Sequence, residues 1–156
     1  MDFSEDKLPK PLRLLYNYWQ KKCDGRQMPS RSDINPVEMQ DFLPHTMLLD
    51  VNLNEQGKYC FKARLVGTHV VDGYGNEFTG KTGDQLRIGD HADKLHAACQ
   101  YSVTSKMPAY LTGQIHMAET DEYIAYERLG VPLSTDGENV DILLVAAIVR
   151  RGPRPF

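Results

Sequence analysis

The sequence predicts an α+β fold, a five-stranded antiparallel sheet of strand order 2-1-5-4-3 with helices on one face and an extra N-terminal helix. Residues 46–53 and 59–65 alternate apolar and polar side chains on either side of the turn 54–57, which predicts a β-hairpin. Three further strand-like segments end the chain with short connections, so they are expected to be neighbours in a meander. Helical patterns lie before and between these strands, which indicates segregated helices and an antiparallel sheet.

The length of 156 residues is typical of one compact domain. Within it we expect an N-terminal helical extension (1–45), a sheet domain (46–150) and a tail (151–156). The net charge is −3, so the protein repels a phosphate backbone overall, and we expect no nucleic-acid partner. The basic cluster Arg150, Arg151 and Arg154 is too short to supply several phosphate contacts, and we expect it to be solvated.

Cysteine spacing and hydropathy predict a cytoplasmic protein. Cys23, Cys60 and Cys99 are far apart and form no metal-ligand pattern, so we expect reduced thiols and no metal site. Residues 1–10 lack the basic start and apolar core of a secretory leader. The longest apolar run, 142–149, has the length of a strand, so we expect no membrane insertion.

The first helix is predicted from Pro11 to Cys23, because proline suits a first helical turn and Gly25 provides a stop. Its apolar stripe covers either the domain's own sheet or the same helix of a second subunit, and the sequence leaves both alternatives open. The residues assigned to a dimer or partner face are Leu12, Leu15, Tyr16 and Trp19.

A short helix is predicted after the connector, with Asn35 as its cap and Pro36 as its first residue. Glu38 lies three residues after Asn35, which is the spacing of a capping box. Pro44 prevents the helix from continuing far beyond Phe42.

Two helices are predicted between the hairpin and the last three strands. The first is short, begins near Thr68 and ends at Val71 or Tyr74. The second is longer, with Asp90 as its cap. Its predicted inner stripe is Ala92, Leu95, Ala98, Cys99, Ser102 and Val103. The last three strands are predicted at 109–117, 123–133 and 140–149.

Short strings distributed along the chain resemble a family of small stand-alone bacterial PAS-like proteins. They are LYNYW (15–19), GRQMPSR (25–31), LPH (43–45) and ARLVGT (63–68), followed by YG and TGK. The resemblance covers about 12–149 and implies a sensor or docking domain, often dimeric, with a cavity between sheet and helices. PAS domains commonly feed an effector domain, and none is expected after Val149. The resemblance therefore implies output through contact with another protein.

The implied cavity would be lined by apolar strand and helix residues, each of which can also be an ordinary core residue. They are Phe61, Ala63, Leu65, Val70, Tyr74, Leu95, Leu111 and Ile115.

Four polar residues are candidates for anion or ligand contacts. Arg26 and Arg31 flank a proline in the connector, where they either bind an anion or tie the loop to Asp33 or Glu38. Arg64 alternates with apolar residues, which favours a position at the rim. If Arg64 is buried instead, the cost of its charge requires an acidic partner or a bound anion. His69 is the fourth candidate.

His91 and His96 raise the question of haem, because some PAS domains carry a haem ligand on this helix. The two residues are five apart and so lie on different faces; we expect His91 to be exposed and His96 half-buried. No aromatic and cysteine arrangement resembles a flavin-binding helix. Haem and flavin are therefore both disfavoured, and the cofactor is left unknown.

Two hypotheses of function follow. The favoured one is a sensory or protein-interaction module of bacterial signalling, which forms a homodimer, binds a protein partner or a small ligand, and is not an enzyme. The alternative is a small cone-shaped α+β enzyme, in which His69 or His116 acts with Asp72 or Glu127.

Overall fold

Five antiparallel strands form the centre of the computed structural model, which describes residues 3–75, 79–82, 91–118 and 120–153. Within these residues the strands form one sheet in the order β2-β1-β5-β4-β3, which confirms the predicted fold class and strand order. The strands are β1 Thr46–Leu53, β2 Tyr59–Val66, β3 Ala109–Met117, β4 Glu122–Leu133 and β5 Ile142–Gly152.

The α-helices of the described residues are α1 Lys10–Cys23, α2 Thr68–Tyr74 and α3 His91–Ser105. Pro11 lies in the first turn of α1, as predicted, and Asp24 ends the helix with a left-handed backbone (φ 48°). The predicted cap of α3, Asp90, lies outside the described residues. Short 3₁₀ turns occupy Glu5–Lys7, Arg31–Asp33, Pro36–Met39 and Leu43–His45.

Helices cover both faces of the sheet. Arg128 of β4 donates from Nη2 to Cys99 Sγ of α3 at 3.5 Å. Tyr110 of β3 pairs with the residue that follows Arg128, so its side chain points to the opposite face. There it contacts Phe3, whose ring packs edge-on against Tyr16 of α1. We call the face that α2 and α3 cover the inner face and the face that α1 covers the outer face.

This double cover explains why residues 128–133 of β4 and 142–147 of β5 are all buried, whereas a half-exposed strand would alternate. Leu143, Leu144 and Val145 are each at most 1% exposed. On the outer side, Leu12 and Leu15 of α1 are 0% exposed. Burial of such a side chain stabilises a fold by roughly 1.5–3 kcal/mol. The stripe of α1 therefore covers the domain's own sheet.

The connector before the sheet is tied down by hydrogen bonds between its own residues and α1. Asn35 caps its 3₁₀ turn, as predicted, through Oδ1, which accepts from the Val37 N–H at 3.1 Å. The predicted capping box is wrong, because Glu38 pairs instead with Lys22 Nζ at 3.0 Å and accepts from Tyr18 OH. The long side chains of α1 thus compete successfully for the Glu38 carboxylate.

The last strand continues beyond its predicted end at residue 149. β5 reaches Gly152, which pairs with Tyr123 of β4. Arg151 Nη2 lies 3.3 Å from Glu122 Oε1, so part of the expected basic tail belongs to the sheet. Arg154 lies outside the described residues. In the described parts of the chain no helix is both long and apolar enough to cross a bilayer.

Candidate functional site

The inner face brings together most of the residues predicted to line a cavity. Strand pairing places Phe61, Ala63, Leu111 and Ile115 on that face. The ring of Phe61 lies 5.2 Å from that of His96, which places it against α3. The helices add Val70, Tyr74 and Leu95. Phe61, Ala63, Val70 and Ile115 are buried, whereas Tyr74, Leu95 and Leu111 are half-buried.

Leu65 is the exception, and its predicted inward position is wrong. Leu49 pairs with Ala63 and Leu48 pairs with Leu65, so Arg64 is an extra residue on β2. Such a β-bulge reverses the alternation of side chains beyond it. Leu65 therefore points to the outer face, where it is 55% exposed.

A charged residue for which the sequence analysis makes no prediction lies buried on the inner face, on β4. Arg128 is only 6% exposed. Arginine side chains are rarely buried to this extent unless they are paired with an opposite charge. Its hydrogen bond to Cys99 Sγ does not neutralise its charge, because burial raises the pKa of the Cys99 thiol and keeps it protonated. Among the described residues no carboxylate lies within ion-pair distance of Arg128.

Two tyrosines and a serine lie on the inner face near Arg128 or Cys99. Tyr126 lies two residues before Arg128 on the same side of β4, and Tyr74 of α2 is close enough for its acidity to respond to both. Burial raises the pKa of Tyr74 to about 12, a rise that the charge of Arg128 opposes. Ser102 of α3 is 1% exposed and lies one turn after Cys99. We call Tyr126 and Arg128, which share one side of β4, the inner polar cluster.

Gly113 makes room for Tyr126. A Cβ at position 113 would lie 2.5 Å from Tyr126 OH and 2.7 Å from its Cζ. The two residues are paired across β3 and β4, so any larger residue would displace the tyrosine ring. The glycine thus allows the phenol to lie flat within the inner face.

The other arginines singled out in the sequence have structural partners. Arg26 Nη2 lies 2.9 Å from Asp33 Oδ2, which is the structural tie predicted as the alternative to anion binding. Arg64 Nη2 lies 2.8 Å from Asp50 Oδ1 at the exposed rim. Arg31 donates from Nη1 to the carbonyl of Ile34 at 3.2 Å and borders a groove on the outer face.

His69 takes part in completing the edge of β5. β1 ends its pairing with β5 at Thr46 and Ala146. Beyond that point His45 Nδ1 bonds the carbonyl of Ala147 at 3.2 Å, and His69 Nε2 accepts the Val149 N–H at 3.2 Å. Burial and the neighbouring His45 lower the pKa of His69, so it stays neutral and able to accept. The two imidazoles, with centroids 4.0 Å apart, replace the missing strand.

The histidine and acid pairs considered for catalysis are engaged separately. His116 Nε2 lies 2.8 Å from Asp121 Oδ1 in an exposed pair. Glu127 accepts a short hydrogen bond from Tyr110 OH on the outer face. Nε2 of His69 is occupied by Val149, and among the described residues no hydrogen bond joins it to Asp72.

The predicted dimer face is corrected by the burial of α1. Leu12, Leu15 and Trp19 pack into the chain's own core, and Trp19 Nε1 donates to the Pro132 carbonyl at 2.8 Å. Tyr16 is half-buried between Phe3 and Trp19. Leu12, Leu15 and Trp19 are therefore occupied within the subunit, whereas part of Tyr16 stays exposed.

The exposure of the two histidines of α3 is the reverse of that expected. His91 is half-buried, with its ring centroid 6.1 Å from that of Tyr126. His96 is exposed and touches Phe61 with one edge.

A partly open groove of about 200 Å³ lies on the outer face, between the connector and the strands β1 and β2. Leu48, Leu65 and Leu144 form its floor, and Met39 and Leu43 form one wall. The bulge at Arg64 brings Leu65 to this groove, where it adds to the apolar surface.

Comparison with known proteins agrees with this architecture. A family model described as PAS domain matches residues 8–147. The chain belongs to the PAS domain family. The matched region includes α1, the helix that covers the outer face of the sheet. No curated protein matches the chain.

Solved structures show the same fold at low sequence identity. The LOV protein of Rhodobacter sphaeroides is similar with a TM-score of 0.52 and 16% identity, over 67% of this chain and 57% of that one. A variant titled RsLOV gives a TM-score of 0.51 and 16% identity, over 67% of this chain and 58% of that one. This PAS domain thus spans somewhat more than half the length of these proteins.

Proposed function

We propose that this PAS domain is a sensory module without catalytic activity, which binds a small ligand at its inner face and signals to a protein partner in a bacterial pathway. The observation that carries the proposal is the gathering of the predicted lining residues under α2 and α3. A helix-covered sheet face with a few convergent polar groups is a common type of small-molecule site.

The contacts of α2 support a role in transmission. α2 approaches β5 so closely that a Cβ on Gly73 would lie 2.6 Å from Val149 Cβ. His69 bonds the backbone of the same residue. A ligand that alters the packing of α2 therefore alters its contacts with β5, and with them the surface that a partner meets.

The engagement of the candidate catalytic residues supports a binding module over an enzyme. A general base must be free to reach a substrate proton. Nε2 of His69 already accepts from Val149, and the pair of His116 and Asp121 lies exposed at the end of a strand.

The proposal includes a homodimer and a cytoplasmic location. Leu65 and Leu43, exposed beside the outer groove, are the apolar surface that we assign to the contact between subunits. The three cysteines are free thiols, which fits a reducing compartment.

A thermal-shift screen of small metabolites tests the binding proposal. A ligand at 100 times its dissociation constant stabilises the folded state by about 2.7 kcal/mol, which raises the melting temperature by about 5–10 °C. We expect the shift to shrink in Leu111→Ala, on the inner face, and to persist in Leu53→Ala, a 63% exposed control.

Two results would contradict the proposal. A library in which no compound stabilises the protein argues against a sensory ligand. Turnover of a stabilising compound, abolished by His69→Ala, would instead favour the enzyme.

A further inference from the structure

The inner polar cluster contains a positive charge that the described residues do not balance. Arg128 is 6% exposed and, within the described ranges, is paired with no carboxylate. Removing a charge from water without a counter-charge costs several kcal/mol. The charge of Arg64 is balanced by the carboxylate of Asp50. Arg128 has no such carboxylate among the described residues, so its burial requires an explanation of its own.

Two buried hydroxyl groups of the inner face are also unsatisfied. Ser102 Oγ and Tyr126 OH have no hydrogen-bond partner among the residues that the structure describes. Buried polar groups in folded proteins are nearly always hydrogen-bonded. A hydroxyl can donate, and a guanidinium can only donate. The Arg128 guanidinium and the Tyr126 hydroxyl, which lie on the same side of β4, therefore match a ligand that accepts hydrogen bonds and carries negative charge.

We propose that the inner polar cluster binds the carboxylate of a small, otherwise apolar monoacid. This inference rests on the proposed ligand site and specifies its chemistry. The planar fork of Arg128 suits a carboxylate, which it can hold through two parallel hydrogen bonds. One guanidinium balances one negative charge, which favours a monoacid over a phosphate dianion. The hydrocarbon part of the acid meets Phe61, Ala63 and Ile115, which share the inner face.

Titration calorimetry with straight-chain carboxylates from butanoate to decanoate, and with the neutral amide of each, tests this chemistry. We expect the carboxylates to bind and the amides of equal length to bind at least about 30-fold more weakly, since an unpaired buried charge is costly. Arg128→Met should weaken the carboxylates by a similar factor and leave the amides unchanged. Tyr126→Phe should have a smaller effect, because it removes one neutral donor.

Arg64→Met is the matched control, because it removes an arginine that is exposed and paired at the rim. We expect it to leave carboxylate affinity unchanged. Without ligand, Arg128→Met should fold and melt at or above the temperature of the parent protein, since replacing a buried, unpaired charge by an apolar residue is neutral or stabilising.

Several outcomes overturn the inference. If amides bind as tightly as carboxylates, or if Arg128→Met keeps carboxylate affinity, the ligand site stands but its anion chemistry is wrong. If the unliganded Arg128→Met melts well below the parent, the arginine is balanced within the folded chain. If no carboxylate, no amide and no compound of the metabolite screen binds, the proposed function fails, and this inference fails with it.

Discussion

At the scale of single residues, two histidine side chains provide hydrogen bonds to β5 that a neighbouring strand would otherwise make. His45 and His69 bond backbone groups of β5 where β1 no longer reaches. A doubly protonated His69 has no lone pair to accept the Val149 N–H. The contact therefore depends on a neutral imidazole.

Acid should lower the stability of the folded protein by protonating His69. Burial lowers its pKa in the folded state below the value of about 6.5 in an unfolded chain. Between the two values the unfolded chain binds more protons, so stability rises with pH in that window and is fully present above about pH 6.5. We expect His69→Gln to flatten the dependence of the urea midpoint on pH between about 5 and 7.

His116→Gln is the control for this experiment, because His116 is paired with Asp121 in an exposed position. It should leave the slope of the parent protein intact. Equal slopes in the parent and in His69→Gln would show that the edge contact does not control stability.

Leu15 and Leu53 form a second residue-level comparison. Leu15, on the buried side of α1, is 0% exposed, whereas Leu53, at the end of β1, is 63% exposed. A buried leucine replaced by alanine costs about 2–5 kcal/mol, whereas surface changes stay within about 0.5 kcal/mol. We expect Leu15→Ala to lower the melting temperature by about 5–15 °C and Leu53→Ala to leave it nearly unchanged, by calorimetry. Similar effects of the two would contradict the position of α1.

At the scale of elements, the fit of α2 on β5 depends on Gly73. Alanine normally favours a helix over glycine by up to about 1 kcal/mol. Here its Cβ would lie 2.6 Å from Val149 Cβ and 3.0 Å from the Val149 carbonyl, and overpacking of that kind costs about 1–3 kcal/mol. We expect Gly73→Ala to destabilise the protein in urea titrations despite its helix propensity.

Gly152→Ala provides the matched substitution, since nothing lies within 4 Å of a Cβ at that position. It should leave the urea midpoint unchanged or raise it slightly. A stabilised Gly73→Ala would mean that α2 does not lie as closely on the sheet as described.

Periodicity predicted the helices and strands well, and it failed where one residue changed the register. Apolar residues at every second position predicted the five strands, and apolar residues at steps of three and four predicted α1. Both patterns were clear because the buried face of each element is continuous. The bulge at Arg64 has no comparable signal, since an extra residue in β2 looks like ordinary alternation until its partner strand is known. Leu65 was misplaced for that reason.

At the scale of the whole molecule, the candidate site depends on which faces are covered. The sequence left open whether α1 covers its own sheet, and that choice decides whether β4 is buried on both sides. A signal for Arg128 was present: Glu127 and Arg128 are adjacent in a strand, so one of them must point to each face. Two adjacent charged residues in a strand predict a buried charge only if helices cover both faces of the sheet.

The proposed dimer gives a prediction about the assembled protein. If the outer groove is the contact between subunits, Leu65→Lys should convert a dimer into a monomer in sedimentation experiments, because it places a charge beside Leu43 and Leu48. Leu53→Lys changes a leucine that is at least as exposed but lies outside the groove, and it should remain dimeric. A parent protein that is monomeric at all concentrations tested would contradict this assignment.

The hydrogen bond from Trp19 to β4 gives the protein a built-in optical reporter. Trp19 is the single tryptophan of the chain, and its indole lies 7% exposed with its N–H bound to the Pro132 carbonyl. Its fluorescence therefore comes from one site, attached to the strand that carries Arg128 on its other side. A change in emission wavelength when a ligand is added would show that binding at the inner face alters the environment of Trp19 on the opposite side of the sheet.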